Sequence, residues 1–234
     1  MCVRYTLHQP DAALAAVARA LARLLAAPAG LRPRYNLTVS DVVPAVTVDG
    51  GQPRVRAMAW GLRPGPEFKL PPRPLPNAKA EKAATSPVFR QAVARRRCLI
   101  PANGFYEWRA AGQARLPHLF TLPEEEPFAL AGIWDPPAED GRPPTFAVLT
   151  TGPNALMAPI HHRMPVILAR EAMPRWLGTE PLAEAEYLRL TRPLPADRLR
   201  VRPVSSYVNQ ARHEGPPCHA PAEPLPEELP LDFG

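Results

Sequence analysis

The residues best suited to chemistry in this 234-residue chain sit in short, unusual contexts. Cys2 follows the initiator methionine. Cysteine is small, so removal of Met1 is permitted, and the chain would then begin with an α-amine and a thiol on one residue. Such a 1,2-aminothiol condenses with an aldehyde through its nitrogen and traps the product through its sulfur as a five-membered ring. The plainer alternative is a buried start residue. Glu107 stands between Tyr106 and Trp108 in GFYEW. Strand alternation favours a solvated face for it; the alternative is a partly apolar pocket, where its pKa would rise and make it a usable general acid. His161 and His162 in PIHHRMPVIL offer either a proton shuttle near neutral pH or a surface loop pair. Asn77 opens NAKAEKA, where a helix cap is the simpler role.

The elements that must position these groups are mostly short. PDAALAAVARALARLLAAPAG carries Leu14, Val17, Leu21, Leu24 and Leu25 on one helical face, with Asp11 as the expected cap and Pro28 and Gly30 as the stop. Apolar runs at 55–62, 98–100, 104–108, 119–122, 128–134, 145–150, 166–168 and 199–204 read as strands, and 86–94 as a second helix. Many short strands with few helices predict a mixed α+β fold: one domain over residues 1–212, built on a curved, largely antiparallel, barrel-like sheet with a few flanking helices.

Composition narrows the function classes. No run approaches the roughly 18 apolar residues of a membrane span, and the start lacks the layout of a secretory signal, so a cytoplasmic protein with no membrane partner is expected. Three widely spaced cysteines, Cys2, Cys98 and Cys218, argue against a disulfide framework. The net charge is +6, yet residues 213–234 hold five acids and no Lys or Arg, which leaves +11 on residues 1–212. A basic body with an acidic, proline-rich tail fits a polyanion partner. Cys218, His219 and His213 invite a metal reading, but a stretch this rich in proline is a poor frame for a ligand cage, and neither metal nor cofactor is expected.

Together the motifs are specific. In order they are MC-x-R-Y, Tyr35-Asn36, Trp60-Gly61-Leu62, PNAKAE from Pro76, RRCLIPANGFYEW from Arg96, AGIWD from Ala131, TT-x-x-N from Thr150, IHHRMPVIL from Ile160 and PVSSYVN from Pro203. This order resembles the SRAP family, the SOS response-associated peptidase-like proteins, through about residue 210. The resemblance implies that Cys2 bonds covalently to abasic sites in single-stranded DNA during the DNA damage response, protecting the lesion. Asn77, Glu107 and His161 match the other active-site positions; His161 is the match because the family pattern runs His-x-Arg-Met-Pro and His162 fills the variable slot. Arg4, Trp60, Lys79 and Arg163 are the expected DNA contacts. Lys79 stands where the family usually has arginine, keeping the charge but losing the bidentate fork. Val3 replaces a glycine, and YNLTVSD and RPGPEF depart from the usual pattern.

The implied chemistry begins with the ring-opened abasic aldehyde. The Cys2 amine forms a Schiff base, and the thiol then closes a thiazolidine, with Asn77 holding the opened sugar, Glu107 moving protons and His161 assisting the sugar hydroxyl. Autopeptidase and abasic-site lyase activities accompany this expectation, in a monomer. Two alternatives are an N-terminal-cysteine peptidase, which would cleave a chain without DNA, and a non-catalytic single-strand binding module, which would bind intact and abasic strands equally.

Overall fold

The computed structural model describes residues 3–65, 68–69, 73–112, 114–137 and 141–223. Cys2, the stretch around residues 66–72 and the end of the acidic tail therefore lie largely or wholly outside the described residues.

Two sheets carry the fold. The strands are β1 (Arg4–Leu7), β2 (Arg34–Thr38), β3 (Val42–Asp49), β4 (Gln52–Trp60), β5 (Asn77–Lys79), β6 (Arg97–Ala102) and β7 (Gly104–Ala111). They continue as β8 (Ala114–Thr121), β9 (Phe128–Asp135), β10 (Thr145–Thr151), β11 (Met164–Pro165), β12 (Ile167–Leu168) and β13 (Arg200–Pro203). The larger sheet curls into a ring, β10–β4–β3–β6–β9, which closes because β9 also pairs with β10. Its pairs are antiparallel except where β4 and β5 lie in succession, parallel, along one edge of β10. The smaller sheet runs β13–β8–β7–β1–β2. The expected α+β fold on a curved, barrel-like, largely antiparallel sheet is what forms.

The two sheets join at Asn103. Here the chain leaves β6 in the ring and enters β7 in the other sheet, and Gly104 permits the turn because a Cβ there would come within 2.8 Å of the Phe120 carbonyl oxygen. The Asn103 side-chain oxygen accepts the Gln9 N–H at 3.0 Å, and the Asn103 backbone N–H donates to the Thr6 carbonyl at 2.9 Å. One corner thus fixes β7, β1 and the start of the first helix together. Tyr5 pairs with Phe105 and Thr6 with Gly104, so the antiparallel register directs the chain upstream of Arg4 towards Glu107.

Alternating side chains of β7 separate two cores. Phe105 faces the ring interior with Tyr5, Trp60, Phe120 and Phe146, whereas Tyr106 packs outward with Leu119, Val208 and Cys218. The outer wall of the ring is covered by α1 (Pro10–Leu21), α2 (Ala80–Ala83), α3 (Arg90–Arg95), α4 (Met173–Leu177) and α5 (Glu184–Leu190), with Val17, Ala83, Val93, Trp176 and Tyr187 buried against it. Arg97 is buried beneath these helices, its guanidinium donating to the carbonyls of Val93, Ala94, Trp176, Gly178 and Glu180. That fork ties α3 to the end of α4 where hydrophobic contact alone would not set their spacing.

The helix expected over the first apolar stretch is shorter than its pattern. Pro10 occupies its first turn, Gln9 rather than Asp11 is the capping position, and Ala22 adopts a left-handed conformation with φ of 49° that ends it. Leu24 consequently leaves the buried face and is 99% exposed. No helix among the described residues is long and apolar enough to cross a membrane. Packing continues past residue 212: the Glu214 carboxylate accepts from Arg34 at 2.7 Å and from the Tyr35 N–H at 2.8 Å, Cys218 is buried, and Val204 bridges to Pro221.

Candidate active site

Glu107 and His161 meet although 54 positions separate them in sequence. Glu107 lies on β7 two residues beyond Phe105 and so shares the ring-facing side. It is 4% exposed, and burial pushes its carboxyl up to about 7. The solvated face favoured by alternation is therefore corrected in favour of the pocket. Alternation marks a wet face only when one side of a sheet is open, and here the ring covers one side of β7 while residues 204–218 cover the other.

His161 follows β10 in a tight loop, its Nδ1 4.0 Å from a Glu107 carboxylate oxygen. Burial lowers its pKa, which leaves a neutral imidazole facing a carboxyl that changes charge near pH 7. The loop is held from behind. The Arg163 N–H donates to His161 Nδ1 at 3.0 Å, while the Arg163 guanidinium grips Glu81 on α2 in a bidentate pair of 2.8 and 2.9 Å and donates to the Thr150 carbonyl. His162 stacks on His161 with ring centroids 4.4 Å apart. This frame fixes an imidazole beside a neutral-pH carboxyl, an arrangement suited to passing a proton.

Asn77 is not a helix cap. It opens β5, level with Val148 of β10, and Lys79 takes the capping position of α2. Alternation sets Asn77 on the side opposite Ala78, which packs into the outer core. The residue before it is braced by the Trp60 indole, whose N–H donates to the Pro76 carbonyl at 2.9 Å.

The expected DNA contacts separate into different environments. Lys79 is exposed. Arg163 is committed to Glu81 and Thr150 and serves the His161 loop. Arg4 donates to Asn36 Oδ1 at 2.7 Å and to the Val208 carbonyl at 2.8 Å, with its guanidinium 5.8 Å from the Trp108 ring centre. Trp60, expected to stack on a base, is 1% exposed and packed edge-on against Tyr5 and parallel to Phe146. That expectation is corrected, because no face of the indole is available to a strand. Trp60→Ala should lower the unfolding free energy by about 3–5 kcal/mol, read by urea denaturation. A mutant of unchanged stability that binds DNA weakly would contradict this assignment.

The motif reading passed over His118. It sits directly across from Glu107 in the β7–β8 ladder, half-buried, with Nδ1 2.9 Å from the Leu116 carbonyl oxygen, and burial lowers its pKa. The signal was available only through register: a histidine in a strand pattern is silent until its partner strand is known.

A ring-closed α+β fold that buries a proton-active Glu–His pair beside the path of its own first strand defines a narrow class. The family model for SOS response associated peptidase (SRAP) matches residues 1–211, and this chain belongs to that family. Among curated proteins it is 36% identical over 192 residues to the abasic site processing protein YoqW of Bacillus subtilis (strain 168), covering 79% of this chain and 84% of that one. It is 28% identical to the abasic site processing protein HMCES of Gallus gallus over 85% of this chain and 69% of the relative. A crystal structure of a protein from Bacteroides thetaiotaomicron superposes with a TM-score of 0.77 at 25% identity, covering 95% of this chain and all of the other.

Proposed function

We propose that this protein processes abasic sites in single-stranded DNA by forming a covalent crosslink through Cys2 after removal of Met1. The observation that carries the reading is the Glu107–His161 pair: a buried carboxyl titrating near 7 lies 4.0 Å from a neutral imidazole, next in register beyond the Arg4 end of β1. The relatives named for abasic site processing supply the substrate class. The net charge of +11 over residues 1–212 suits a phosphate backbone.

The neutral Cys2 amine attacks C1′ of the ring-opened aldehyde, and the carbinolamine loses water to give an iminium ion. The thiolate adds to the same carbon, so a C–N and a C–S bond replace the C=O bond. Glu107 in its protonated form supplies the proton that departs with water. As carboxylate it takes the proton the amine sheds. His161 is the group placed to exchange protons with Glu107 and with the sugar hydroxyl released on ring opening. Asn77 offers an amide to the opened sugar.

The test is the intact mass of purified protein before and after incubation with an abasic oligonucleotide. The mature chain should begin at Cys2 and gain the mass of the oligonucleotide less one water. Retention of Met1 in a crosslinked product would overturn the reading. Chain cleavage in the absence of DNA, with no adduct in its presence, would support the peptidase alternative instead.

A further inference from the structure

Four of the sequence motifs converge on the outer face of the smaller sheet, away from the Glu107 side. Asn36 of the Tyr35-Asn36 motif is buried and donates to the carbonyls of Val208, Gln210 and His213. Arg4 of the N-terminal motif binds Asn36 and the carbonyls of Val208 and Asn209. The Trp108 indole, one residue beyond Glu107, donates to Asn209 Oδ1 at 2.6 Å. These bonds hold the segment of the PVSSYVN motif in one place beside β1 and β7.

What they hold out to solvent is an aromatic pair. Tyr207 and His213 stack with ring centroids 3.9 Å apart and planes inclined by 15°, and His213 Nδ1 lies 2.7 Å from the Tyr207 carbonyl oxygen. Tyr207 nevertheless remains 38% exposed, one of the few large apolar side chains on the described surface. Core packing does not account for this: the neighbouring Val208 is fully buried while Tyr207 faces outward. The surroundings favour an anion. Arg212 is exposed beside the pair, and the nearby carboxylate of Glu214 is taken up by Arg34 and the Tyr35 N–H.

We propose that the Tyr207–His213 pair is a stacking platform for a nucleobase flanking the lesion on the same single strand. This inference rests on the DNA reading of the site and adds a binding step to it. A preformed, braced ring pair loses little side-chain freedom on accepting a base, and a base can stack on it whatever its identity. With Trp60 in the core, the platform supplies aromatic contact that the motif reading placed elsewhere.

The experiment measures equilibrium binding of a fluorescent, base-complete oligothymidylate strand, so that covalent chemistry does not intrude. Tyr207→Ala should weaken binding about tenfold, and Tyr207→Phe, which keeps the ring, should stay within about twofold of the parent. Tyr207→Ala binding within about twofold of the parent overturns the platform. So does an equal loss in Tyr207→Phe. If the parent protein fails to crosslink abasic DNA, the functional reading falls, while the binding series on intact strands still decides the platform.

Discussion

Cys2→Ala protein should leave no heat-stable adduct on a labelled abasic oligonucleotide and should nick the strand instead. Alanine is small, so Met1 is still removed and the α-amine, with a reference pKa of about 7.7–8.0, remains available near neutral pH. The amine attacks C1′, water departs and the iminium ion forms as before. Without sulfur the five-membered ring cannot close. The iminium persists until a proton is lost from C2′ and the 3′ phosphate leaves by β-elimination, which breaks the strand. Borohydride added during the reaction reduces the imine and restores a stable adduct, and this trapping separates the two groups of Cys2. On a denaturing gel the parent protein should give a shifted band without reductant, and Cys2→Ala should give one only with it. A heat-stable Cys2→Ala adduct formed without borohydride would show that the thiol is dispensable and remove the thiazolidine from the mechanism.

Glu107→Gln should slow crosslink formation by about 10²–10⁴-fold, because an amide neither gives nor takes a proton at the step where water leaves. The pH profile distinguishes this from a loss of binding. In the parent, the acid form of Glu107 is depleted as pH rises through about 7, while the neutral amine accumulates as pH approaches 8; the rate is therefore bell-shaped. Removing the carboxyl should abolish the descending limb and leave a slow rate that rises to a plateau. A full-rate Glu107→Gln enzyme, or a slow one that keeps the descending limb, would exclude Glu107 as the acid.

The same substitution has a stability consequence of opposite sense. Burial raises the folded-state pKa of Glu107 above that of an unfolded chain, so the folded protein binds a proton that the unfolded one has released. The parent is therefore favoured below the unfolded pKa of about 4.3 and loses that advantage progressively as pH rises through about 7. Glu107→Gln should accordingly raise the thermal midpoint at pH 8 and bring little gain at pH 4. A site that is costly to keep ionised is expected where a carboxyl must change charge at neutral pH.

The amino-acid sequence by itself determined the apolar runs of β6, β7, β9 and β10, because consecutive apolar residues bounded by polar or turn residues carry their own signal. It also determined, through the order of its motifs, which residues to examine at the site. β1, β2, β3 and β5 escaped it. β1, β2 and β5 have three to five residues, and β3 is interrupted by Pro44; such segments become strands because partners elsewhere in the chain accept their hydrogen bonds. The helices α2, α4 and α5 are four to seven residues long, too short to show a repeat, and are stabilised by the ring wall they cover.

Tertiary structure alone decided the state of each site residue. Alternation along β7 could not reveal that both of its faces are covered, and it is this double burial that lifts the Glu107 pKa. The motif containing Trp60 could not show whether the indole points at a strand of DNA or at Phe146. His118 acquired its place opposite Glu107 only from the register of β8, and Tyr207 stays at the surface where Asn36, Arg4 and Trp108 hold the residues that follow it. Side-chain identity is local information, whereas burial, pairing and proton affinity are set by what the rest of the chain packs around the residue. In this protein those neighbours lie tens to hundreds of positions away, and closure of the ring and the corner at Asn103 bring them together.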